Sequence, residues 1–449
     1  MHGKESSLNS ILFRDALIVT MNKEREVLQG DLLVEGNRIS AIGQVETATD
    51  RVIDARGKVL IPGLIQAHVH LCQTLFRGQA DDLELLDWLS TRVLPLESAH
   101  DPESIYISAL LGIGEMFQCG TTAIIDMESV HHTEAAFQAI VESGIRAVSG
   151  KCMIDRGVGV PESLMEETAD SLQESTDLLE KWHGSGDGRL HYAFTPRFVV
   201  SCSESLLVEV RKLAEQYGVR IHTHASENRT EVALVRAERG MDNVAYLNHL
   251  GLTGSNLVLA HCIWVSDQEI HMLTHSSTNV VHCPSSNLKL ASGIAPIPTM
   301  LAQGTQVSLG ADGAPCNNNL DPFIEMRLAA LIHKPRYGPT SMPAQRVFEL
   351  ATLGGARAMG LEKEIGSLEV GKKADLALIS LEGIHCAPRD TDIYGQLVYQ
   401  AKASDVTLTM VDGRIVYEDG LLTTIDRESV TQRANQSLSR IKKKLPHLF

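Results

Sequence analysis

The chain has 449 residues, enough for one large α/β barrel with an appendage or for two to three ordinary domains, and it is 43% apolar and 21% charged, as a globular protein is. A formal charge of −16 excludes a nucleic-acid backbone as the main ligand, because phosphate binding needs a basic face. No run approaches the roughly 20 apolar residues that span a bilayer, and the eight cysteines contain no CxxC pair, which excludes thiolate zinc ribbons and argues against a disulfide framework.

The first ten residues, 1-MHGKESSLNS-10, have no apolar core, so no secretory signal is expected and the cytoplasm is favoured. Residues 11–60 read as short strands joined by turns: 11-ILFRDALIVTM-21, 31-DLLVEGNRISAIG-43 and 52-VIDARGKVLIPG-63. The pattern then changes to apolar runs alternating with helical stretches. A run ends at His68, and 122-TAIIDM-127, 145-IRAVSGKCMI-154, 191-HYAFTP-196, 219-VRIHTHAS-226, 257-LVLAHCI-263, 279-NVVHCPSS-286 and 306-QVSLGADG-313 follow. Eight strand-helix units predict a (β/α)8 TIM barrel over residues 61–365. No GxGxxG follows an early strand, which counts against a doubly wound open sheet. The far end returns to strands, 374-ADLALISL-381 and 406-VTLTMVDGRIVYEDG-420. Neither end is large enough for its own core. Residues 1–60 and 366–449 are therefore expected to pair into one small β-sandwich domain. The basic run 441-IKKKLPHLF-449 reads as a solvated helix end.

Parallel barrel strands are buried and should be apolar throughout, so polar residues at their ends stand out. His68 and His70 end the first predicted strand, His222 and His224 the fifth, His261 the sixth, His282 the seventh and Asp312 the eighth. Residues i and i+2 of a strand share a face, so His68 and His70 can both address the barrel mouth. Imidazoles with a carboxylate suit zinc or iron(II). An HxH pair alone is as often structural; four histidine sites and an aspartate at strand ends point to a metal centre. Glu227 lies three residues past His224, where a carboxylate can exchange a proton with a water at that centre. A helix N-terminal carboxylate is the plainer alternative.

These residues make the chain resemble the amidohydrolase superfamily and its mononuclear aminohydrolase branch. The motifs are 62-PGLIQAHVH-70, HxxE at 224–227, 260-AHC-262, 281-VHCPSSNLKLASG-293 and 309-LGADGAPCNN-318. The segments 78-GQADDLELLDWL-89, 286-SNLKLASG-293 and 317-NNNLDPFIEMRLAALIHK-334 are similar to methylthioadenosine/S-adenosylhomocysteine and 5′-deoxyadenosine deaminases. The segments 195-TPRFVVSCSE-204 and 224-HASENRTEV-232 also resemble guanine deaminases, and triazine hydrolases share the frame.

The resemblance implies one divalent metal ion, zinc or else iron(II), held by His68, His70, His224 and Asp312. It implies that His261 hydrogen-bonds the attacking water, that Asp312 helps orient it, and that Glu227 carries its proton to the substrate. His282 is implied as support for Asp312 or the pocket, with packing equally open. Three substrate contacts are implied, each with a plainer alternative: Asp87 with Trp88 (helix packing), Arg197 (a strand-end ion pair) and Gln73 (a loop cap). Relatives that accept large thioethers carry basic residues after the third strand. Here 138-QAIVESGIRAVSGKCMID-155 offers Val141 and Lys151, which disfavours S-adenosylhomocysteine against smaller 5′-substituted adenosines.

The expected activity is hydrolytic deamination of an aminopurine nucleoside of the 5′-deoxyadenosine, methylthioadenosine or S-adenosylhomocysteine type, giving ammonia and the inosine analogue. Guanine or aminopterin deamination and s-triazine hydrolysis are the alternatives on the same scaffold. A non-catalytic metal-binding barrel is disfavoured, because every ligand and Glu227 are present. The partner expected is a small-molecule aminopurine, with no nucleic acid and no membrane, in a homo-oligomer.

Overall fold

Strand-forming alternation opens the chain. In the computed structural model, which describes residues 10–157, 159–389 and 391–448, five strands come first: β1 (Ser10–Val19), β2 (Val27–Glu35), β3 (Arg38–Gly43), β4 (Arg51–Asp54) and β5 (Lys58–Pro62). Residues 1–9, which carry most of the segment read as lacking a signal, and Phe449, which ends the basic run, lie outside the described residues.

Eight strands of the barrel follow. They are β6 (Leu64–His70), β7 (Thr121–Met127), β8 (Arg146–Gly150, continued by Cys152–Met153), β9 (Leu190–Pro196), β10 (Arg220–Ala225), β11 (Leu257–His261), β12 (Asn279–His282) and β13 (Gln306–Leu309, continued by Asp312–Gly313). Every neighbouring pair is parallel. All seven residues of β6 and of β7 are buried, as strands covered on both faces must be.

The two halves of β13 close the barrel. Val280 and His282 of β12 pair with Val307 and Leu309 in the first half, while Asp312 and Gly313 in the second half pair with Val69 and His70 of β6. Gly310 makes the crossing possible: a Cβ there would sit 2.7 Å from the His68 carbonyl oxygen. Asp312 is therefore fixed beside the HxH pair by backbone hydrogen bonding.

The chain then returns to the first sheet with β14 (Leu376–Ser380), β15 (Val406–Val411), β16 (Arg414–Glu418) and β17 (Leu421–Leu422). The strand order is β17-β16-β15-β14-β5-β1-β2-β3, with β4 also on β1. The seam between the chain's two ends is the antiparallel pair of β5 and β14. A bulge after Phe13 bends β1, and the sheet rolls over one cluster that includes Phe13, Ile18, Leu32, Leu376 and Met410. Alternate residues Val59, Ile61, Ala377 and Ile379 pack instead into the barrel's core, the period-two division a strand imposes. A buried ion pair pins the two parts: Arg146 of β8 donates to Asp375 at 2.7 and 3.0 Å.

Between β6 and the long helix Pro102–Gln118, short helical turns cross the barrel mouth. They supply the cover of the site. Among the described residues, no helix is long and apolar enough to cross a membrane. All eight cysteines are buried and unpaired.

Candidate active site

The C-terminal ends of β6, β10, β11 and β13 converge on one buried point. The Nε2 atoms of His68 and His70 lie 3.2 and 3.4 Å from Asp312 Oδ1, and His70 Nε2 lies 3.3 Å from His224 Nε2. Donor atoms of His68, His224 and His261 lie within 4.8 Å of one another, and so do those of His68, His70 and Asp312. His261 Nε2 is 3.5 Å from Glu227 Oε2 and 3.8 Å from Asp312 Oδ2.

The outer partners of these rings assign their tautomers. His70 Nδ1–H donates to the Met127 carbonyl (2.9 Å), His224 Nδ1–H to the Arg197 carbonyl (2.7 Å) and His261 Nδ1–H to Asn287 Oδ1 (2.8 Å). His68 is held through a relay. His222 Nδ1–H donates to the Val258 carbonyl (3.1 Å), which leaves His222 Nε2 to accept from His68 Nδ1–H (2.8 Å). Each of the four rings therefore turns an Nε2 lone pair inward. Burial favours this neutral form: it pushes His224 well below the usual histidine range and His70 down to about 3.

Four nitrogen lone pairs and a carboxylate thus face each other with no proton to share, and among the described residues His68 Nε2 and His261 Nε2 have no hydrogen-bond partner. A divalent cation fits that donor set, and little else resolves the arrangement. Ser286 Oγ–H donates to Asp312 Oδ2 at 2.6 Å and sets the carboxylate's orientation. His261, Cys262 and Asp312 take positive φ values of 72°, 46° and 65° without being glycine, a local strain that re-aims the strand ends at the centre.

Glu227 stands at the turn out of β10. Asn228, not Glu227, caps the helix Arg229–Arg239, in a capping box with Glu231. The Glu227 carboxylate is left to face His261. Burial pushes its pKa well above the usual glutamate range, and the charges of Asp312 and Glu231 add to this. A carboxyl raised in this way holds a proton more readily than an exposed glutamate does.

A cavity with about 320 Å³ of atom-free space lies over these residues. Its floor includes His70, His224, Glu227, His261 and Asp312, and Leu85, Trp88, Leu89 and Phe198 give it apolar walls. This slot is polar on its floor and apolar on its walls.

Of the expected substrate contacts, Trp88 and Arg197 line the slot. Arg197 also makes a buried ion pair, Nη1 to Glu97 Oε2 at 3.3 Å. Gln73 is not on the wall: its Nε2–H donates to Glu97 Oε1 at 2.7 Å beneath the slot. Asp87 is exposed, because the single turn Leu85–Trp88 points Leu85 and Trp88 inward and leaves the acid outside. His282 is buried but off the wall, its ring 5.3 Å from that of His333; Ser286 takes the supporting place at Asp312. Val141 lies on the outer helix Thr133–Ser143, and Lys151 is turned away to Glu166 at 2.6 Å. Neither residue is among those lining the slot.

Two buried residues escaped the sequence reading. Glu97 is one acid in the apolar stretch 94-LPLES-98, with no pattern to mark it. His222 was visible as the first histidine of an HxH, but its place behind His68 follows only from the packing of β6 against β10.

Comparison with known proteins agrees with this geometry. The amidohydrolase family model matches residues 59–416. A 5′-deoxyadenosine deaminase of Methanobrevibacter smithii is 39% identical over 437 residues, covering 97% of this chain and 98% of its own. A 5-methylthioadenosine/S-adenosylhomocysteine deaminase of Moorella thermoacetica is 38% identical, covering 96% and 100%. Among solved structures, an adenosine deaminase from Xanthomonas campestris with bound zinc superposes with a TM-score of 0.91 at 31% identity, covering 96% of this chain and 98% of that one.

Proposed function

The chain belongs to the amidohydrolase family, and on that premise we propose that it deaminates a 5′-modified adenosine by hydrolysis, releasing ammonia and the inosine analogue. The observation that carries the reading is the convergence of four Nε2 lone pairs and the Asp312 and Glu227 carboxyl groups under one apolar-walled slot. Relatives named for 5′-deoxyadenosine and methylthioadenosine/S-adenosylhomocysteine support the substrate class.

His68, His70, His224 and Asp312 would hold one divalent ion, zinc by preference and iron(II) by the same donor chemistry. When bound, the ion supplies Lewis acidity, which makes a water nucleophilic at neutral pH. His261 accepts a hydrogen bond from the attacking water through its inward Nε2. Glu227 takes the water's proton and delivers it to the ring nitrogen beside the carbon under attack. The new bond is C–O; Glu227 then takes the proton of the added hydroxyl and gives it to the amine, so the C–N bond breaks, the carbonyl forms and ammonia leaves. Trp88, Leu85, Leu89 and Phe198 hold the purine flat, and Arg197 gives its edge a polar contact.

Ammonia release from 5′-deoxyadenosine, methylthioadenosine, S-adenosylhomocysteine, adenosine and guanine tests the reading. The expected result is kcat/KM at least tenfold higher for the 5′-modified adenosines than for guanine. Absence of ammonia from every one of these compounds overturns it. Chloride release from a chlorotriazine would put the triazine alternative in its place.

The division into residues 1–60 with 366–449 against 61–365 is part of the same proposal, supported by the seam of β5 and β14. So is a homo-oligomer, supported by Ile324 and Leu331, 41% and 39% exposed on one helix. Eight buried reduced thiols fit the reducing cytoplasm.

A further inference from the structure

A second concave site lies at the rim of the barrel, beside the catalytic slot and sharing no wall residue with it. It is a groove with about 1520 Å³ of atom-free space between the starts of the helices Arg229–Arg239, Asp267–His275 and Ile297–Gln303. The first two of these helices follow the loops that deliver Glu227 and His261. Ser226 ties those loops together, its carbonyl accepting from the backbone N–H groups of Ile263 and Trp264, each at 2.9 Å.

Three guanidinium groups line the groove. Asp242 neutralises Arg236 through two hydrogen bonds of 2.6 and 2.9 Å. Arg229 and Arg336 have no such partner: among the described residues neither guanidinium makes an ion pair or donates a hydrogen bond. Asp267, the remaining carboxylate of the groove, is joined to neither. Each free arginine lies against an aromatic ring instead. Arg229 Cζ sits 3.9 Å over Trp264, and Arg336 Cζ lies 5.4 Å from the Tyr337 ring centre.

The Trp264 platform is rigid. Its Nε1–H donates to the Ser292 carbonyl at 2.7 Å, and a Cβ on Gly293 would come within 3.0 Å of the indole. A guanidinium laid flat on an aromatic face keeps its in-plane N–H donors free, the fork that grips phosphate or carboxylate in a bidentate manner. The groove also presents Ile294, 45% exposed, with Val232, Ile263 and Ile270 buried beneath it.

We propose that this groove binds a small organic anion, its phosphate or carboxylate held by Arg229 and Arg336 and its apolar body lying against Ile294. Calorimetric titration of the metal-loaded protein with phenyl phosphate, benzoate and neutral benzyl alcohol, at fixed ionic strength, tests it. Saturable binding of phenyl phosphate or benzoate is expected, and the stronger of the two identifies the headgroup. Benzyl alcohol should bind at least tenfold more weakly, and so should the anion to the Arg229→Ala, Arg336→Ala double variant. Should that variant fail to fold, Arg229→Gln alone is read in the same way. The proposal is overturned if neither anion saturates. It is equally overturned if binding is undiminished in the variant, because the anion would then sit at the catalytic centre.

Discussion

The Glu97 carboxylate stands 3.3 Å from the Arg197 guanidinium in the wall of the slot, and both side chains are buried. The second oxygen of Glu97 takes the Gln73 amide at 2.7 Å, so one acid from the loop after β6 fixes two polar side chains. Removing a partner from a buried pair leaves a charge unanswered, a cost of about 3–5 kcal/mol. Glu97→Gln keeps the shape and loses the charge. It should raise KM about tenfold or more through a misplaced Arg197, while kcat and metal content change far less. Steady-state kinetics with metal analysis checks this, and an unchanged KM would remove Arg197 from the list of substrate contacts.

Glu227→Gln separates proton transfer from metal holding. The amide matches the carboxylate in size but cannot carry a proton. Turnover should fall at least about 100-fold while the bound metal stays at the wild-type level. Full activity in this variant would end its assignment as proton carrier.

Chelation should unfold the protein at lower temperature. Without a cation, the inward lone pairs of His68, His70, His224 and His261 face the Asp312 carboxylate. A ligand present at a thousand times its Kd stabilises by about 4 kcal/mol. Differential scanning calorimetry should show a drop of several degrees after chelation and recovery on adding zinc. A melting temperature indifferent to both treatments would contradict the ligand set.

His100 offers a pH test away from the metal centre. It is buried between the Ser104 hydroxyl at 2.8 Å and the Cys72 carbonyl at 2.9 Å, and burial pushes its pKa down to about 4. The unfolded state binds the proton from about pH 6.5 downward and the folded state does not. The stability tied to His100 is therefore whole above pH 7 and is lost as pH falls toward 4. Urea denaturation should find the advantage of wild type over His100→Gln about 2 kcal/mol smaller at pH 5 than at pH 7.5. An advantage independent of pH would show that the ring titrates alike in the folded and unfolded states.

Much of the fold is legible in the sequence because barrel strands are buried on both faces. Their apolar runs cannot continue past the point where chemistry begins, so the histidines and Asp312 mark the strand ends by contrast. The candidate metal and proton-transfer residues all sit on such ends or one turn beyond. Gln73, Asp87 and Glu97 lie in the loop between β6 and the helix Pro102–Gln118, where no periodicity declares which side faces in. Asp87 adjoins Trp88 in sequence, yet a helical step of about 100° sends one to solvent and the other to the slot. His282 ends a strand like the others, but β12 aims it at His333. That Lys151 pairs with Glu166, fifteen residues on, cannot be seen in the sequence.

The seam of β5 and β14 also sets a timetable for synthesis. Roughly 300 residues separate the two strands, and a ribosome adds about 5–20 residues per second. For roughly 15–60 seconds β5 therefore waits with an open hydrogen-bonding edge, while the whole barrel emerges between it and its mate. The nascent protein is most exposed to wrong pairing at its oldest end, so a chaperone that shields residues 58–62 would do more for the yield of active enzyme than one acting on the barrel.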